Sequence, residues 1–187
     1  MFRDSRIANY LYLALKKMKK HRGMRPHDIV ILLKIASKGD QTWLMKDLAI
    51  ELRISGSEIS ESLNRSALAG LISPDKRRVM YASLLDFLEY GLKYVYPQHP
   101  GALAKGMPTA WSALPLSKEI MSEEQVVWPF ANGLVRGQTI EPLHPSVPWA
   151  CQQDQKLYEL LALTDALRMG RARERNLAII ELKKRLC

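Results

Sequence analysis

Ser57, Ser60, Glu61, Asn64 and Arg65 recur at intervals of three and four residues, the repeat that gathers side chains on one side of an α-helix. Hydroxyl, amide, carboxylate and guanidinium groups in such a row can exchange hydrogen bonds with base edges in a DNA major groove. Glu61, and Glu58 one turn earlier, oppose this, because carboxylates repel phosphate, although one can accept from a cytosine amino group. Lys76, Arg77 and Arg78 follow Pro74-Asp75, a turn signal. Cations on a tight turn suit the sugar-phosphate backbone, where contacts position a protein without reading sequence.

Two other basic groups invite the same question. Lys19, Lys20, Arg22 and Arg25 close an N-terminal apolar stretch; they either complement a helix dipole or contact phosphate. Arg168, Arg171 and Arg175 align on one side if a helix continues through Gly170. Pairing with Asp165 and Glu174 is the plainer role for them, and an anion site for an effector or DNA phosphate is the sharper one.

Catalytic and metal chemistry find no such pattern. His21, His27, His99 and His144 lack metal-ligand spacing, although His99 and His144 share one segment and could meet. There is no nucleophile elbow, P-loop or dinucleotide fingerprint, and Gly101-Ala102-Leu103-Ala104-Lys105-Gly106 reads as a flexible loop. Cys151 and Cys187 are too few for a disulfide framework and are expected as reduced cytoplasmic thiols. Neither enzyme activity nor a cofactor or metal is expected.

The elements that must position the polar row follow from apolar spacing. Ile7, Tyr10, Leu11, Ala14 and Met18 predict an amphipathic helix over about residues 5–20. Pro26 suits a helix first turn, Ile29, Leu32, Leu33 and Ala36 give that helix a buried stripe, and Gly39 offers a stop. A short helix over Leu44 to Leu52, with Thr42 as a weak cap, buries Leu48, Ala49 and Leu52. Ser55 and Glu58 then have capping-box spacing. The next helix points Ile59, Leu63 and Ala67 or Leu68 inward and leaves Ser57, Ser60, Glu61, Asn64 and Arg65 outside. Two helices joined by a short turn form a helix-turn-helix. Leu71-Ile72 and Val79-Met80-Tyr81 predict a hairpin around Pro74-Asp75-Lys76, and Ser83 is a candidate cap for a helix burying Leu84, Leu85, Leu88 and Leu92.

Residues 97–150 differ in composition, holding eight of the ten prolines and three of the four tryptophans. An irregular segment packed through its tryptophans is expected, with a turn around Lys118 to Gln125 and one hairpin at Asn132-Gly133. From Asp154 helix returns. "KLYELLALTDAL" is apolar around most of its circumference, which implies burial in a core or between subunits, and a last helix follows Gly170.

The chain of 187 residues carries 28 Lys/Arg against 19 Asp/Glu, a formal net charge of +9. An anionic partner is favoured. Residues 1–96 hold 17 of those cations against 10 acids, whereas residues 97–150 hold 3 against 4 and residues 151–187 hold 8 against 5. Any anion-binding surface therefore belongs to the two ends. No apolar run is long enough to span a bilayer, and the start lacks the order of a signal peptide, so a cytoplasmic protein is expected.

The stretch from Pro26 to Tyr81 resembles the winged helix-turn-helix of MarR-type transcriptional regulators. Asp47-Leu48-Ala49, the turn Leu52-Arg53-Ile54-Ser55, Ser57-Glu58-Ile59-Ser60, Leu63-Asn64-Arg65 and Gly70-Leu71-Ile72 carry the likeness. Arg53 departs from it, standing where a glycine is common and putting a left-handed turn there in question. "DALRMGRARERNLA" looks like the tail of uncharacterised prokaryotic winged-helix proteins, some of which neighbour toxin-like nucleotidyltransferases. The expected fold is mainly α with a small β wing: a winged helix-turn-helix over 1–96, an irregular segment over 97–150, and C-terminal helices over 151–187 for dimerisation. The resemblance implies a dimeric regulator that binds double-stranded DNA, and a repressor is expected. The alternative is a protein-interaction module of the same fold, such as an antitoxin holding a toxin.

Overall fold

The computed structural model describes residues 23–186. The expected N-terminal helix over residues 5–20, and with it Lys19, Lys20 and Arg22, lies outside the described residues, as does Cys187.

Pro26 starts helix α1, Pro26–Ser37, whose first-turn Asp28 accepts a hydrogen bond from the Arg25 amide at 2.8 Å. Gly39 follows its end at φ +59°, a conformation that glycine reaches without a Cβ clash. Helix α2, Met45–Leu52, is preceded by Leu44 as N-cap, with no side-chain cap, so Thr42 does not serve that role. Helix α3, Gly56–Leu68, begins on Ser55, whose hydroxyl accepts from the Glu58 amide at 3.2 Å. Half of the expected capping box is thus present; the Glu58 carboxylate is engaged elsewhere.

The hairpin after α3 shrinks to a single antiparallel bridge between Ile72 and Val79. Its right-hand limb is cut short because Met80 is already the N-cap of helix α4, Tyr81–Asp86, displacing Ser83 from that position. A π-helical turn, Phe87–Gly91, and helix α5, Leu92–Val95, complete this run, with Leu84, Leu85, Leu88 and Leu92 buried as expected.

Within residues 97–150 the fold holds more regular structure than the composition predicts. Strands β1 (Leu103–Pro108), β2 (Val126–Pro129) and β3 (Val135–Thr139) close a small three-stranded barrel. The glycine- and alanine-containing stretch expected as a loop therefore supplies most of β1. No hairpin forms at Asn132-Gly133, because β2 and β3 run parallel, each antiparallel to β1. β2 ends at Pro129, which has no amide hydrogen to extend a ladder. The chain then crosses β1, where a Cβ on Gly133 would stand 2.2 Å from the Gly106 carbonyl carbon. Only glycine permits that crossing.

Helices α6 (Val147–Gln153), α7 (Gln155–Met169) and α8 (Ala172–Leu186) follow. Gly170 ends α7, as its position predicts. The core is continuous from α1 through α7 into the barrel. Trp128 is buried against Tyr158 and donates through Nε1 to Asp165 of α7 at 2.6 Å. The same carboxylate accepts from Thr109 at 2.9 Å and from Arg168 at 2.7 Å. The fold is mainly helical with a small three-stranded sheet. Leu157, Leu160, Leu161, Leu163 and Leu167 are covered within this one chain, so the apolar circumference of α7 gives no argument for a second copy.

Candidate nucleic-acid interface

α3 has two unlike sides. Ile59, Ser62, Leu63, Arg65 and Ser66 are buried. Ser57, Glu61, Asn64 and Leu68 are exposed, and Ser60 is half-buried. Four of the five residues expected on the outer side are therefore there in whole or part, and Arg65 is not.

Arg65 reaches back to the start of α1. Its Nε and Nη2 donate to the two oxygens of Asp28 at 2.9 and 2.7 Å, and Nη2 lies 2.8 Å from Glu58 Oε1. Asp28 has no exposed surface. The two-point match of a guanidinium to a carboxylate makes this a directional contact, and the hydrogen bond to Asp28 keeps Arg65 protonated well above its ordinary range. Glu58 also meets His27 Nε2 at 2.7 Å and Arg25 at 3.3 Å. Burial works to raise the Glu58 pKa, but the hydrogen bonds from Arg65 and His27 prevail and hold it below the ordinary glutamate value. The Glu58 charge is thus matched locally by Arg65, Arg25 and His27. Arg25 is spoken for in the same way. Glu61 stays exposed.

Beside the exposed stripe stands the turn through residues 73–79. Ser73 Oγ accepts from the amides of Arg77 and Arg78 at 3.3 and 3.0 Å, and Lys76 sits at φ +60° at the tip. The Asp75 carboxylate joins the same network, and its pKa is lowered chiefly by the Ser73 hydroxyl. Lys76 Nζ donates to Asn64 Oδ1, tying the turn to the exposed side of α3. The Arg77 and Arg78 side chains are exposed and make no salt bridge among the described residues. Arg77 lies 5.8 Å from the centroid of the Trp43 ring.

The turn between α2 and α3 departs from expectation. Arg53 adopts the left-handed conformation, φ 51° and ψ 42°, despite having a side chain. Its guanidinium carbon lies 3.5 Å from the centroid of the Trp149 ring. Ser146 Oγ donates to the Leu52 carbonyl at 2.5 Å, and the His144 ring meets that of His27 edge-on, 5.9 Å between centroids. His144 thus finds His27 and not His99, which is exposed. Arg53, Trp149 and Ser146 were not legible as site residues, because the contact joins parts of the chain far apart in sequence.

The three-arginine row does not form. Arg168 is buried and donates to Asp165, to the Tyr96 carbonyl at 3.0 Å and to the Glu141 carbonyl at 3.1 Å. Arg171 and Arg175 lie beyond the break at Gly170. Pairing with Asp165, the plainer expectation, is what Arg168 does. Among the described residues no group of His, Cys, Asp and Glu is arranged to hold a metal ion, and no helix is long and apolar enough to cross a membrane. Cys151 is buried, which pushes its thiol pKa up and keeps it unreactive.

No protein-family model matches the chain, and no curated protein or solved structure matches it either.

Proposed function

We propose that this protein is a sequence-specific double-stranded-DNA-binding transcriptional regulator, acting as a repressor, in which α2, the turn and α3 serve as a helix-turn-helix and residues 73–79 as a short wing. One observation carries this: the polar stripe of exposed Ser57, Glu61 and Asn64 with half-buried Ser60 stands beside the turn of Arg77 and Arg78, which make no salt bridge among the described residues, and Lys76 joins the two by its bond to Asn64. Hydrogen-bonding groups on a helix suit base edges, and cations on an adjoining turn suit the phosphates that flank them. Arg65 is left out of base reading, because it is buried and its Nε and Nη2 serve Asp28 and Glu58. If the regulator acts as a homodimer, its operator has two half-sites about one helical turn apart.

A second reading has its own support. Ile50 and Leu68 are each 70% exposed, on the outer sides of α2 and α3. Apolar side chains there, with an exposed Glu61 that makes no salt bridge among the described residues, suit a protein surface better than phosphate, as in an antitoxin holding its toxin. A gel shift on duplex DNA flanking the protein's own gene, with random duplex as competitor, separates the two. A shift that resists random competitor supports regulation; no shift on any duplex favours the protein partner.

A further inference from the structure

Arg53 occupies the backbone position in the α2–α3 turn that a residue with a Cβ resists. At φ 51° the Cβ crowds the following carbonyl oxygen, which is why glycine is usual in such turns. The conformation is needed here: it lets the Ile54 amide donate to the Ala49 carbonyl at 3.1 Å while α3 sets off in a new direction. Something must offset the cost.

The offsetting contact comes from the other end of the chain. The Arg53 guanidinium carbon lies over the Trp149 ring, 3.5 Å from its centroid, within the range of cation–π attraction. Trp149 is itself firmly placed. Ser146 donates to the Leu52 carbonyl, one of the helix-end acceptors that have no partner inside their own helix. Ala150 and Cys151, its neighbours in α6, are buried. Asp154, at the junction of α6 and α7, is held by Lys34 of α1 at 2.7 Å.

We propose that Trp149 is a positioning residue for α3: by stacking on Arg53 it holds the left-handed turn, and so fixes the direction in which α3 presents its polar stripe. The effect on the turn is independent of any ligand. Its consequence for DNA rests on the function proposed above.

Amide hydrogen exchange followed by NMR on the full chain tests this. The reporters are the Ile54 and Glu58 amides, with the Leu32 and Leu33 amides of α1 reporting global opening. Arg53→Ala keeps the Cβ and loses the stack, so Ile54 and Glu58 should exchange about two- to thirtyfold faster, the worth of such a stack between its exposed and desolvated limits. Trp149→Ala should match it. Arg53→Gly needs no stack, so its turn should stay as protected as in the wild type, and adding Arg53→Gly to Trp149→Ala should restore protection. A role in general packing or surface charge would treat Arg53→Ala and Arg53→Gly alike, and that result overturns the proposal. So does an unchanged turn in Arg53→Ala, a measurement that needs no change at Trp149 and stands even if Trp149→Ala fails to fold. Duplex binding measured on the same variants should follow turn protection. If protection changes as described and no variant, nor the wild type, binds duplex, the positioning role stands and the DNA-binding function falls.

Discussion

Asp28 and Arg65 face each other as a buried carboxylate and guanidinium, joined at two points and sealed between α1 and α3. A pair of this kind bolts the proposed reading helix to the helix behind it. Removing one member leaves the other charged and out of water, so Arg65→Ala should lower stability by about 3–5 kcal/mol. Arg65→Lys should recover only part of that, since an ammonium cannot make both contacts. Urea unfolding of the three proteins checks this. A variant as stable as the wild type that had lost only DNA binding would return Arg65 to the outer side of the helix.

Acid should loosen the contact between α1 and the segment before α6. Burial holds the His144 pKa below its ordinary value, and the neighbouring His27 adds to this while Glu58 opposes it. The unfolded chain therefore takes up the His144 proton before the folded one does. Stability from this source is complete above about pH 6.5 and declines as pH falls below that value toward the lower folded pKa. Denaturation midpoints at pH 7.5 and 5.5 should differ less in His144→Gln than in the wild type. Equal differences would mean that His144 does not contribute.

Residues 97–150 should behave as part of the folded core. Asp165 holds Trp128, Thr109 and Arg168 together, and all four are buried. Native trypsin digestion should spare Lys105, Lys118 and Arg136, and tryptophan emission should be blue-shifted. Asp165→Ala strands the Arg168 charge and should cost about 3 kcal/mol or more, shifting emission to the red. Early cleavage at those sites in the wild type would show a loose segment.

The two parts of the proposed DNA surface should fail differently. Arg77→Ala with Arg78→Ala should weaken binding to every duplex alike, because those side chains address the backbone. Asn64→Ala should cost about 1–3 kcal/mol at the cognate site and little on random sequence. Equal losses on both duplexes from Asn64→Ala would assign it to the backbone.

The helices were legible because burial in them follows local spacing. Ile59 and Leu63 face inward at an interval that the sequence displays; α1 was found by the same spacing, yet it is buried on all sides from Asp28 to Ile35 and not along one stripe. Arg65 was misplaced because polarity stood in for exposure. Yet Glu58, Ser62 and Arg65 share one side of α3 at intervals of four and three, which was a signal for pairing. What could not be seen was Asp28, contributed by another helix. The barrel was missed for a like reason: its strands are short, and the Gly106–Gly133 crossing that permits it is a contact between distant segments. Arg53 carried a misleading cue, since its left-handed turn depends on Trp149.

The most direct measurement is the affinity of the wild-type protein for a labelled duplex from the DNA beside its gene, followed by anisotropy over a salt series. Phosphate contacts by the cations of residues 76–78 release counterions, so log affinity should fall linearly with log salt, with a slope of roughly −2 or steeper. The cognate duplex should keep an advantage over random sequence throughout. Absence of binding to either duplex at about 50 mM salt, where such contacts are strongest, would contradict the DNA-binding function.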